Sequence, residues 1–110
     1  MQAIFLPDDA LKRLEEQFGP AVRQMGSWNS DGSFGYSSVP IVAVEKAAET
    51  LEDPALMQAF LHLRDTADQT RPFIELLETF GTALIEGIVA ANRDRYLSFS
   101  QGRVSQMGAH

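Results

Sequence analysis

Apolar residues recur at three- and four-residue steps along most of this chain, and one stretch breaks the rhythm. Leu11, Leu14, Phe18, Val22 and Met25 form a single stripe, predicting a first helix over residues 8–25. Pro7 suits its first turn, and Asp8 and Asp9 favour the positive end of the helix dipole. Gly19-Pro20 interrupts the stripe, so a break or sharp kink is expected there, because proline removes a hydrogen bond and clashes with the preceding turn.

The pattern resumes in "VPIVAVEKAAETLED", where Ser38 as N-cap and Pro40 in the first turn predict a second helix over residues 40–52. Its first residues, Ile41 to Val44, also suit a strand. Asp53-Pro54 reads as N-cap and first helical residue of a third helix over residues 54–69. Leu56, Phe60, Leu63 and Ala67 make its apolar face, with Gln58, His62, Asp65 and Gln69 opposite.

A fourth helix is predicted over residues 72–97. Phe73, Leu77, Phe80, Leu84, Ile88 and Ala91 form its stripe, and Ile74, Gly81 and Ile85 widen it. This arc exceeds the ~100° expected of a helix lying on one surface. Such a helix is either the centre of the monomer or part of an interface between copies. Small residues at four-residue spacing (Ala83, Gly87, Ala91) would admit a second backbone on one side. Phe73, Phe80, Ala83, Leu84, Gly87 and Ala91 are therefore the candidate oligomer interface, and replacing Gly87 by Leu is expected to disturb a dimer more than the monomer. Glu75, Thr82, Glu86 and Arg93 supply a solvent stripe. The period fades after Asn92, and residues 98–110 read as a flexible tail following a single domain over 1–97.

The exception is residues 26–38, "GSWNSDGSFGYSS", rich in Gly and Ser yet holding the only Trp. Asp31-Gly32 suits a tight turn, and a small hairpin would place Trp28 and Phe34 on either side of it. The aromatics either pin the turn to the core or serve as anchors for a partner. On the second reading Trp28, Phe34 and Tyr36 are the anchors, with Asp31 and Ser33 as polar rim. The expected architecture is thus mainly α, a bundle of about four helices with this loop between the first and second.

Composition narrows the chemistry. With 110 residues and 45% hydrophobic residues, the chain is an ordinary single globular domain. The net charge of −6 is uneven: residues 1–40 carry −2, residues 41–90 carry −6 and residues 91–110 carry +2. That balance disfavours nucleic acid except at the tail, where Arg93, Arg95, Tyr96, Phe99 and Arg103 form a small basic and aromatic patch. Charge complementing the helix dipole is the better account of those arginines. No secretory leader is evident, and "ALIEGIVAA" falls well short of the ~20 residues that span a bilayer. A soluble, cytoplasmic protein without a membrane partner is expected.

No cysteine is present, which removes disulfides, thiolate metal sites and a Cys nucleophile. His62 is the sole histidine before the C-terminal residue, and its spacing to Asp65 and Asp68 is better explained by an exposed helix face than by a metal. Glu75 with Glu78, Glu15 with Glu16, and Asp8 with Asp9 fall on polar faces or first turns, away from the desolvated setting that acid–base catalysis requires. The phosphate-cradling spacing Gly-x-Gly-x-x-Gly-x-Val fails at Ser30 and Ser37. No metal or cofactor is expected. The function expected is a non-enzymatic protein-interaction module, an adaptor, regulatory subunit or small scaffold that binds a protein partner and forms a homo-oligomer. A small enzyme or ligand carrier with an apolar pocket under loop 26–39 is the alternative, and a nucleic-acid-linked regulator using the tail is a third.

Overall fold

A computed structural model describes the backbone of residues 3–28 and 34–108, and the side chains of residues 3–27 and 34–94. It is mainly helical. In chain order the elements are strand β1 (Ala3–Phe5), helix α1 (Asp8–Phe18), a 3-10 helix (Pro20–Met25), strands β2 (Ser27–Trp28), β3 (Phe34–Gly35) and β4 (Ser38–Pro40), then helices α2 (Ile41–Leu51), α3 (Pro54–Arg64) and α4 (Thr70–Gly108).

The first predicted helix divides at Gly19-Pro20, as the proline requires, into α1 and the 3-10 helix. Leu11, Leu14, Val22 and Met25 are all buried, so both pieces share one apolar stripe. Arg23 folds the second piece back on the first, its Nε donating to Glu15 Oε2 at 3.0 Å.

Three expectations change at the next elements. Ser38 caps nothing: it lies in β4, and α2 starts one residue after Pro40. The third helix does begin on Asp53, whose Oδ1 accepts from Ala55 N at 3.0 Å and Leu56 N at 3.4 Å. It ends at Arg64, so Ala67, expected on its apolar face, is instead exposed in the following loop. The fourth helix spans Thr70–Gly108. It also bends at Gly81 (φ 67°, ψ −150°), which the periodicity does not announce.

Strand β1 was not expected at all. It pairs antiparallel with β4, Ile4 opposite Val39 and Phe5 opposite Ser38. Leu6 N–H extends the pairing by donating to Ser37 O at 2.8 Å. The outer side of β1 meets the start of α4, where Thr70 Oγ1 donates to Phe5 O at 2.7 Å.

The core is one apolar cluster drawn from every layer, including Ile4, Leu14, Val39, Phe60, Phe73, Leu77, Leu84 and Ile88. Helix α4 is its spine. Among the described residues no charged or polar side chain is buried, and no helix is long and apolar enough to cross a membrane.

Candidate protein-contact site

The irregular stretch folds into a minimal hairpin. Ser27 pairs with Gly35 and Trp28 with Phe34, the two aromatics opposing one another across the strands as expected. Gly26 makes this possible through close approach: a Cβ there would collide with the Gly35 carbonyl oxygen and lie 3.0 Å from Tyr36 Cα. Asn92 fixes the base of the hairpin from α4. Its Nδ2 donates to Met25 O at 2.6 Å and to Gly26 O at 2.7 Å.

Two aromatics beside the hairpin, Phe5 and Tyr36, are exposed. The Phe34 and Tyr36 rings meet edge to face at 5.3 Å and 67°, a favourable arrangement for aromatic quadrupoles. Phe34 is half-buried, whereas Tyr36 is 52% exposed. Phe5, in the alternation exposed–buried–exposed of β1, is 58% exposed. The Leu6–Ser37 hydrogen bond brings Phe5 and Tyr36 to the same end of the β1–β4 pair. Of the five residues expected to meet a partner, then, Phe34 and Tyr36 come together. Trp28 is placed by its backbone, its side chain lying outside the described residues, as do Asp31 and Ser33 entirely.

The candidate interface on α4 is placed differently. Phe73, Leu84 and Ala91 are buried in this chain's own core, and Phe80 is half-buried against it. Gly87 faces α2 of the same chain, where a Cβ would come within 3.1 Å of Ala47 Cβ. Only Ala83 of that set is exposed. The wide apolar arc is thus covered largely within the chain, where a side chain at position 87 would press on Ala47 of α2. Glu75, Thr82, Glu86 and Arg93 do form the exposed stripe.

Other sequence candidates stand apart. His62, Asp65 and Asp68 are exposed, and among the described residues no three His, Asp or Glu side chains gather as a metal site. An open groove of about 280 Å³ runs between the 3-10 helix and α4, lined by Ala21, Gln24, Glu86, Val89, Ala90 and Arg93. Of the basic tail patch, Arg93 is exposed at this groove, and the side chains of Arg95, Tyr96, Phe99 and Arg103 lie outside the described residues.

Two residues of the site escaped the sequence reading. Phe5 sits in "AIFLP", where no polar neighbour betrays the alternation that turns it outward. Asn92 looks like any polar residue where a stripe fades, and its acceptors lie 66 and 67 residues away. Comparison with protein-family models, with curated proteins and with solved structures finds no match.

Proposed function

We propose that this chain is a non-enzymatic protein-interaction module that receives a polypeptide partner on its aromatic end, formed by Phe5, Phe34 and Tyr36 beside the β2–β3 hairpin. The observation that carries the reading is the exposure of two large aromatics, Phe5 and Tyr36, at one end of the same strand pair. Single exposed apolar residues need no explanation, but aromatics grouped on a rigid base are the usual anchors of a protein contact. Asn92 holds the hairpin root and Thr70 holds β1, contacts that limit the ordering entropy lost on binding. The acidic balance and absence of cysteine suit work in the cytoplasm.

The experiment is site-specific photo-crosslinking in the source cell. A photoreactive phenylalanine replaces Tyr36 in one strain and the exposed Gln58 of α3 in another, and adducts are identified by mass. A protein captured at position 36 and absent at 58, with capture lost on Phe5→Ser, supports the reading. Identical adducts at both positions overturn it. The double substitution Trp28→Ala and Phe34→Ala adds a second check: a folded variant that retains full affinity for the captured protein removes the hairpin from the site.

A further inference from the structure

Gly81 breaks a helix whose side-chain pattern does not break. Phe73, Leu77, Phe80, Leu84, Ile88 and Ala91 keep their three- and four-residue steps straight across it, and no proline follows Pro72. Yet Gly81 holds φ 67° and ψ −150°, a conformation essentially restricted to glycine. Space is not the reason. A Cβ there would meet nothing nearer than Phe18 Cε1, at 3.9 Å. The side-chain pattern is thus that of one continuous helix, and a single residue admits the bend, so Gly81 is the point about which α4 would straighten.

The bent arrangement is held by the seat of the C-terminal half. Leu84, Ile85 and Ile88 are buried, Gly87 lies against Ala47 and Leu51 of α2, and Asn92 binds the Met25 and Gly26 carbonyls. The N-terminal half is anchored separately through Phe73 and Leu77. Straightening at Gly81 lifts the C-terminal half from its seat and exposes a surface shaped for that half-helix. A second copy of the chain carries the matching piece.

We propose that Gly81 is a hinge about which two copies of this chain exchange the C-terminal half of α4, each seated on α2 and the 3-10 helix of the other. Every contact broken within a chain re-forms between chains, so the exchange costs mainly the freedom of two molecules and grows with concentration. It leaves Phe5 and Tyr36 where they are, and gives a pair of chains two aromatic ends.

The absence of native cysteine provides a clean reporter. One chain carries Gln24→Cys and another Ala90→Cys, exposed positions lining the groove between the 3-10 helix and α4. The two are mixed, unfolded together, refolded at high concentration and treated with a short thiol-to-thiol crosslinker. A crosslink between them forms when α4 of one lies on the 3-10 helix of the other; Gln58→Cys in place of Ala90→Cys controls for random collision. The expected result is a mixed crosslinked dimer above that control, reached at roughly tenfold lower concentration when both chains also carry Gly81→Ala, which penalises the bend. No mixed dimer above control in the Gly81 chains overturns the proposal. So does a folded Gly81→Ala chain that stays monomeric at every concentration. Should Gly81→Ala fail to fold, the Gly81 chains alone decide the matter.

Discussion

Asn92 holds two backbone carbonyls of a turn far away in sequence, and a half-buried amide in that position is costly to lose. Asn92→Ala deprives Met25 O and Gly26 O of their donor, and a loss of about 1–3 kcal/mol is expected from urea denaturation. Asn92→Asp keeps the shape, but its carboxylate faces the same carbonyls, so it is expected to cost at least as much at neutral pH. Wild-type stability in both variants would show the amide to be idle. Glu52 offers the opposite sign. It closes α2 at φ 53°, where a side chain is strained, so Glu52→Gly is expected to add about 0.5–1 kcal/mol in the same assay. These two residues also mark what a sequence shows at this scale. Asp53 is legible because its cap partners are two and three residues away. Asn92 is not, because nothing local depends on it.

At the scale of elements, periodicity identifies surfaces but not their neighbours. Most of the apolar arc of α4 was legible, although Leu76, buried in the core, was missed and Ile74, Phe80 and Gly81 are only half-buried; what covers it was not, because a helix from the same chain and one from another copy demand the same pattern. The structure gives the place to α2, through Gly87 against Ala47. Gly87→Leu then forces a side chain into a closed contact, with an expected loss of about 1–3 kcal/mol of monomer stability in thermal or urea unfolding. An unchanged midpoint would mean that the two helices do not meet there. The short strands were partly legible. Asp31-Gly32 flanked by aromatics pointed to the β2–β3 hairpin, whose rungs Ser27–Gly35 and Trp28–Phe34 form. Strand β1 left no trace, since three apolar residues between the N-terminus and a helix start show neither period. Its existence depends on Val39 and Ser38, more than thirty residues on, which is long-range information. The bend at Gly81 went unannounced for a related reason: periodicity places this glycine within the widened stripe, whereas the backbone conformation is what demands it.

Across the whole molecule, apolar residues divide into those that make the fold and those that it displays. Phe60 and Phe73 are fully buried and unite α3 and α4 in the core, whereas Phe5 and Tyr36 remain more than half exposed at one end. The two groups predict opposite outcomes for similar substitutions. Phe60→Ala opens a cavity in the cluster and is expected to cost about 3–5 kcal/mol. Phe5→Ser with Tyr36→Ser removes surface that water already reaches together with the Tyr36–Phe34 ring contact, and a loss of no more than about 1.5 kcal/mol is expected from urea denaturation. Ile4 and Leu6, the buried neighbours of Phe5, keep β1 in place in that variant, as do Thr70 and the pairing with β4. Folding therefore gives no reason for an aromatic at position 5 and only the Phe34 ring contact at position 36, and serine there should lessen retention on a hydrophobic column. If the double variant instead unfolds several kcal/mol more easily than the wild type, these rings serve the fold. The aromatic end would then lose its standing as a contact surface. If stability holds and capture of the crosslinked protein is lost, the rings are present for the partner.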